Sequence, residues 1–343
     1  MRTAPRQGFQ YQYFVPVAQR ARIANIVYGG RTLEWYVPVW PQVQNIGPVA
    51  DLATSLTCET RYSEFRASGY VMLWESPDHY QVLQMDQVTS DTNIDLIDEA
   101  EAFADAWLMP VRLGHLTGDP SRAFNGRTSM LEMSYAVDDQ AELTIADPTQ
   151  FLGADAYFDP GLLDGGSLAE QIRARVDIFD EGLGMVSYQA PWLYNRPARV
   201  HRMIAENAAE AWAIRQFLHR RRGRSVQFWQ PSFEADLRVM DSGAITTALS
   251  VRRDDFDDFA PERSHVAIET AGGWLTRTIN STLDLGGGEL QVVFNASLGG
   301  IDAATIKRIS FMGLKRLDTD RVEIGYMGGT VSQCAVNTVE IQP

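Results

Sequence analysis

Residues Gly223–Phe233 read GRSVQFWQPSF, and residues Gly30–Trp40 read GRTLEWYVPVW, a degraded copy of the same aromatic strand. Aligned without a gap, Trp35 and Tyr36 face Phe228 and Trp229, Pro38 faces Pro231, and Trp40 faces Phe233. The match continues outward. Residues 54–58 (TSLTC) face 247–251 (TALSV), 71–73 (VML) resemble 266–268 (VAI), and 111–116 (VRLGHL) loosely resemble 311–317 (FMGLKRL). Residues 130–135 (MLEMSY) resemble 321–326 (RVEIGY). One such match carries nothing, but several in one order point to a duplicated module. The period is far longer than that of a solenoid repeat.

Both copies read as short runs rich in β-branched and aromatic residues, such as 289–294 (ELQVVF), 308–312 (RISFM) and 321–326 (RVEIGY). That pattern predicts strands. Residues 318–320 (DTD) read as a hairpin turn between two of them, and Gly286–Gly288 as another break. The expected fold is mainly β: two related β-sandwich or β-barrel modules, each with one or two short helices, joined by a loop-rich insert. The boundaries are 1–146, 147–190 for the insert, and 191–343. In the second module Asn207 and Glu210 form a capping-box pattern that starts a helix over 207–221, with Ala211, Ile214, Phe217 and Leu218 on one face. Asp95–Trp107 and Asp302–Arg308 are weaker helix candidates. The insert is rich in Gly, Asp and Pro, and predicts a hairpin from 171–180 and 184–189.

Composition sets limits. The chain has 343 residues, 45% hydrophobic and 22% charged, enough for two ordinary globular domains. No apolar run is long enough to cross a bilayer, so membrane insertion is not expected. The first residues lack the apolar core of a secretory signal, which predicts a cytoplasmic origin. Cys58 and Cys334 are too few for a disulfide framework and read as buried thiols. A formal charge of −14 disfavours general nucleic-acid binding. The basic run HRRRGR, His219–Arg224, reads best as a helix C-terminus whose arginines complement the dipole and whose Gly223 stops the helix.

No motif for catalysis stands out. The five histidines are scattered, and there is no H-x-x-x-H, no nucleophile elbow and no Walker loop. The acidic run Asp254–Asp258 lacks the turn glycine and closing glutamate of a calcium loop. No enzyme activity, cofactor or metal is therefore expected. Paired carboxylates brought together by folding stay open, and with them a carbohydrate-binding or carbohydrate-cleaving β protein. The tryptophans fall at strand positions of the repeat, where packing explains them.

The run NAAEAWAIRQFLHRRRGRSVQFWQPSFEADL, Asn207–Leu237, is a helix, an arginine-rich glycine turn and an aromatic strand. It resembles a pattern of tail-tip proteins of long-tailed bacteriophages, in which such a turn leads into a W-x-P-[ST]-[WF] strand. The closing stretch RISFMGLKRLDTDRVEIGYM, Arg308–Met327, is similar to the C-terminal part of those proteins. The cysteine set of an iron–sulfur tail hub is missing. The resemblance implies a distal tail, or baseplate-type, virion protein made in the host cytoplasm. It would form a homo-oligomeric ring joining the tail tube to hub and fibre proteins, with DNA passing through the lumen and no sequence-specific DNA binding. Two tube-like modules per chain make a six-module ring from three copies; a single tube-building module requires six. The residues expected to matter are Gly223 as helix stop, Trp229 and Phe233 in ring packing, Arg224, and their counterparts Arg31, Trp35 and Trp40.

Overall fold

The computed structural model describes residues 6–30, 33–126, 128–138, 148–161, 170–180, 182, 184, 186–192, 195–327 and 331–342. It is mainly β. The chain divides into two compact units. The first is Met1–Ile145 with Ala205–His219 and Tyr326–Ser332; the second is Ala146–Ile204 with Arg220–Gly325 and Gln333–Pro343.

The first unit holds β1 (Gly8–Pro16), α1 (Arg20–Gly29), β2 (Trp35–Pro38), β3 (Gln44–Val49), β4 (Ala53–Thr57), β5 (Tyr70–Ser76), β6 (His79–Ser90), β7 (Asn93–Ala100), β8 (Phe103–Leu116), β9 (Ser121–Asn125) and β10 (Thr128–Val137). Its strands run in the order β1-β10-β8-β5-β6-β7-β4, with β2 and β3 also on β8, and β9 on β10. Successive side chains alternate between faces. Val71 and Leu73, Leu83, Ile94 and Leu96, and Leu108 therefore turn to one core from four strands. Irregular register in β3, β4, β6 and β7 bends the sheet. Leu56 on the edge strand β4 thus shares a core with Leu108 on the central β8. Each such aliphatic side chain contributes about 1.5–3 kcal/mol by burial.

Further along lie β11 (Gln150–Phe151), β12 (Ala154–Ala156), β13 (Glu170–Arg173), β14 (Asp177–Asp180), β15 (Val186–Gln189), β16 (Arg196–Ala205), α2 (Ala208–Arg221), β17 (Phe228–Pro231), β18 (Ala244–Ile245) and β19 (Ala248–Arg252). They are followed by α3 (Phe256–Phe259), β20 (His265–Thr270), β21 (Gly273–Gly286), β22 (Glu289–Phe294), β23 (Ile301–Asp302), β24 (Ile306–Leu317), β25 (Ile324–Tyr326) and β26 (Ser332–Gln342). The main sheet contains the path β16-β26-β24-β20-β21-β22-β19, with β17 on β24 and β25 on β26. This is the strand order of the first sheet, position for position.

The register repeats as well. Tyr36 pairs with Leu113 and Pro38 with Val111; Trp229 pairs with Leu314 and Pro231 with Met312. Leu73 pairs with Leu108, and Ile268 with Ile309. Leu56 and Cys58 are buried in one unit, as are Leu249 and Val251 at the matching places of the other. Both cysteines are free and buried.

Several expectations change. Asp95–Trp107 is not a helix but parts of β7 and β8: Ile94 and Leu96 point inward, and the acidic residues line the exposed side. Asp302–Arg308 is a single 3-10 turn, capped by the Asp302 side chain, that runs into β24. The counterpart of β10 is β26 rather than residues 321–326. Residues 318–320 do not close a hairpin between β24 and β25, because both of those strands pair with β26. The backbone polar groups of β24 find a better partner in the longer strand.

The helix at 207–221 forms as Ala208–Arg221. Asn207 Oδ1 accepts from the Glu210 N–H at 3.0 Å, and Glu210 reaches back to the Glu206 N–H at 2.9 Å. Although expected within the second module, residues 205–219 group with the first unit. In the insert, β14 and β15 pair as a separate two-stranded hairpin, while β13 pairs with β16. Gly286, Gly287 and Gly288, all with positive φ, turn β21 into β22.

Candidate functional site

Arg31 lies outside the described residues. Trp35 is half-buried, donates from Nε1 to the Gly30 carbonyl at 2.8 Å, and meets Tyr135 edge-on. Trp40 opens a 3-10 turn and sits edge-on to Trp74 at 6.0 Å. Arg222 and Gly223 both take left-handed backbone after α2. At Gly223 a Cβ would stand 2.5 Å from Asp320 Oδ1 and 3.1 Å from its Cα, so glycine is required twice over. Asp320 accepts the Arg224 N–H at 2.9 Å, and the Arg224 residue is exposed. The contact beside Gly223 is thus made by backbone, while Arg220 and Arg221 converge on Asp155. Those two arginines hold an internal carboxylate, while Arg222 and Arg224 are exposed.

Trp229 is core, 4% exposed, against Ala267, Met312 and Leu314. Phe233 is half-buried, has φ of 62°, and meets Trp274 edge-on at 5.9 Å. Within their own unit Trp229 is thus fully packed and Phe233 is packed on one side. Strand β12 runs parallel beside β17, pairing Ala156 with Trp229, and the Tyr157 N–H donates to the Trp229 carbonyl at 2.8 Å. Phe151 packs edge-on against Trp229 at 5.4 Å, and Phe158 stacks on Trp274 at 5.5 Å. The insert therefore covers this sheet face.

The same face of the first unit carries Tyr36, Trp40, Tyr70, Trp74, Tyr80 and Trp107. Tyr36 holds the place of Trp229, yet it is 49% exposed. Tyr80 pairs with Trp74 as Trp274 pairs with Glu269, and is also 49% exposed. Among the described residues β2 pairs with β8 alone. Two sheets of one design thus differ: the insert covers one aromatic face, while the other packs Trp40 over Met72 and Met109 and leaves Tyr36, Tyr80 and Trp107 exposed.

The second unit also contains a charged cavity of about 90 Å³ lined by Arg199, Arg263, Lys315, Glu170, Asp236 and Glu340, among others. Arg199 bridges Glu170 at 2.6 Å and Glu234 at 2.8 Å, and donates to the Ser232 carbonyl at 2.6 Å. The Phe311 N–H donates to Asp236 at 2.7 Å. Burial pulls Lys315 down to about 8, although Glu340 opposes the shift; burial raises Glu340 and Asp236. Gly313 stands where the first unit has Arg112, and its missing Cβ makes room for the Glu340 carboxylate. A ligand pocket ordinarily offers about 300–1,000 Å³, whereas this cavity has room for only about three waters. It serves as a polar junction of β13, β16, β24 and β26. The sequence signal for it was a lysine inside the apolar strand 309–317.

Close by, His201 is buried between Tyr157 and Phe233. Its Nε2 has no hydrogen-bond partner among the described residues. Burial pulls its pKa down to about 4. In the unfolded chain a histidine titrates near 6.5, so between these values the unfolded state binds the extra proton. Stability is then expected to fall by roughly 3 kcal/mol as pH drops from about 6.5 to 4. Urea midpoints of H201Q across this range should show a shallower acid loss than the parent; equal slopes contradict the assignment.

No group of three or more metal-binding side chains occurs among the described residues. No helix among them is long and apolar enough to cross a membrane. Compared with models of known families and with curated proteins, the chain matches none.

Proposed function

We propose that this chain is a structural component of the tail tip of a long-tailed bacteriophage. It assembles with itself into a ring at the distal end of the tail, between the tail tube and the hub and fibre proteins. The observation that carries the self-assembling part is the repetition of one strand order in two sheets of a single chain, with unlike exposure of the matching faces. A protein with two similar but unequal faces makes heterologous contacts, and such contacts close into rings when the rotation allows. Three chains then present six similar sheets. The assignment to a phage tail draws on the helix, glycine turn and aromatic strand of Asn207–Leu237.

The second unit's cavity adds no support for catalysis: its Arg199 is paired with Glu170 and Glu234, and its volume of about 90 Å³ is far below that of an ordinary ligand pocket. The acidic chain also suits a passage for DNA, whose phosphates it repels. The test is electron microscopy of the purified protein alone and mixed with tubes from long-tailed phages. Rings with three-fold or six-fold symmetry that seat on one end of the tube are expected. Absence of both rings and tube binding contradicts the proposal.

A further inference from the structure

We propose that the open aromatic face and the free edge of β2 in the first unit dock the β14–β15 hairpin of a second copy of this chain. The inference rests on the self-association proposed above and names the surfaces that make it.

The duplication supplies the argument. In the second unit an extended segment of the insert adds a strand to β17 and lays Phe151 and Phe158 on Trp229 and Trp274. In the first unit the matching strand β2 has one neighbour, β8, among the described residues. The Val39 N–H donates to the Pro110 carbonyl at 2.9 Å, which sets the alternation of the β2–β8 ladder. Tyr36, three residues before Val39, accordingly turns its N–H and carbonyl away from β8. The matching Trp229 carbonyl is the one that accepts from Tyr157. Pro38, the other outward-facing residue of β2, has no N–H, and its carbonyl accepts from the Tyr11 hydroxyl at 2.8 Å, so Tyr36 is the residue of β2 that offers both backbone groups. Such groups beside an exposed aromatic ring are the arrangement that accepts an added strand.

The insert also carries the occupant. Hairpin β14–β15 belongs to neither large sheet. All the residues of its two strands but Asp177 are exposed, among them Ile178, Phe179, Val186 and Tyr188. An isolated two-stranded hairpin is marginal in water, so apolar residues on it call for a surface. The insert's earlier segment, with Phe151 and Phe158, already covers the matching face of its own unit. Among the described residues of the insert, the hairpin is the element outside both large sheets, and its paired Ile178 and Tyr188 present one exposed apolar face. Each copy then gives one hairpin and takes one, a head-to-tail contact that propagates around a ring.

The test uses the full chain, with association measured by sedimentation velocity at micromolar concentration. The hairpin variant I178D/Y188D and the face variant Y36D each change exposed side chains and leave the cores intact. Each is expected to weaken self-association roughly 100-fold, the effect of losing a central anchor. Mixed one to one, the two variants retain one good hairpin and one good face between them, and are expected to form one-to-one dimers that grow no further. A folded parent that assembles while both variants assemble equally well overturns this docking and leaves the ring proposal standing. A parent that stays monomeric overturns both and assigns the face to a different occupant.

Discussion

Glu64→Ala is expected to destabilise the first unit by about 3–5 kcal/mol, the cost of breaking a buried ion pair by removing one partner. The Glu64 and Arg112 side chains are each 2% exposed and paired with each other, and Arg215 joins the same carboxylate at 2.5 Å. Gln7 donates to it at 2.8 Å. Burial works to raise the Glu64 pKa, but Arg215 and Arg112 outweigh it and hold it below the ordinary carboxylate range. Without the carboxylate, two guanidinium groups are left in a site with little water. Glu64→Gln keeps the shape and loses the charge, and should fall between. Because the folded pKa is lowered, the contribution is complete above the ordinary carboxylate range and is lost as pH falls through the folded value. Chemical denaturation followed by tryptophan fluorescence measures the effect. A Glu64→Ala midpoint equal to that of the parent contradicts the assignment of this cluster as a buried tie between β8 and α2.

The second large effect separates the two sheets. Trp229→Ala is expected to cost about 3–5 kcal/mol, as a large buried aromatic does. Tyr36→Ala, at the matching position of the other sheet, should cost under about 1 kcal/mol, because half of that ring already faces water. The difference comes from the cover: Phe151 and strand β12 close over Trp229, whereas Tyr36 meets Tyr70 of its own sheet edge-on and stays half exposed. Equal midpoint shifts for the two variants contradict the asymmetry on which the docking inference is built.

The repeat was legible because strand register conserves spacing. Trp35–Pro38 and Phe228–Pro231 sit on matching residues of β8 and β24, as the ungapped alignment of the two aromatic strands requires. The α2 cap was legible for a similar reason, since Asn207 and Glu210 act over three residues. Local signals failed where partners are distant. The acidic residues of β7 look helical until Leu96 is seen to pair with Met85 on β6. Residues 321–326 look like the closing strand of a repeat until β26 takes that place.

The site was legible in part. The aromatic strand was visible, but the burial of Trp229 depends on residues more than seventy positions upstream in the insert. Nothing near Arg221 reveals that Asp155 neutralises it, nor does the surrounding sequence mark Glu64 as the partner of Arg215. Lys315 was the one cavity residue with a local sign, a charge among apolar strand residues. Of the aromatic strand residues, Trp229 is core, whereas Tyr36 at the matching place of the other copy is half exposed.

The most direct test of self-assembly through two similar sheets is sedimentation equilibrium of the unmodified chain over a range of micromolar concentrations. The account predicts association toward a closed species of three or six chain masses, with no continued growth beyond it. A single species of 38.3 kDa at every concentration contradicts it.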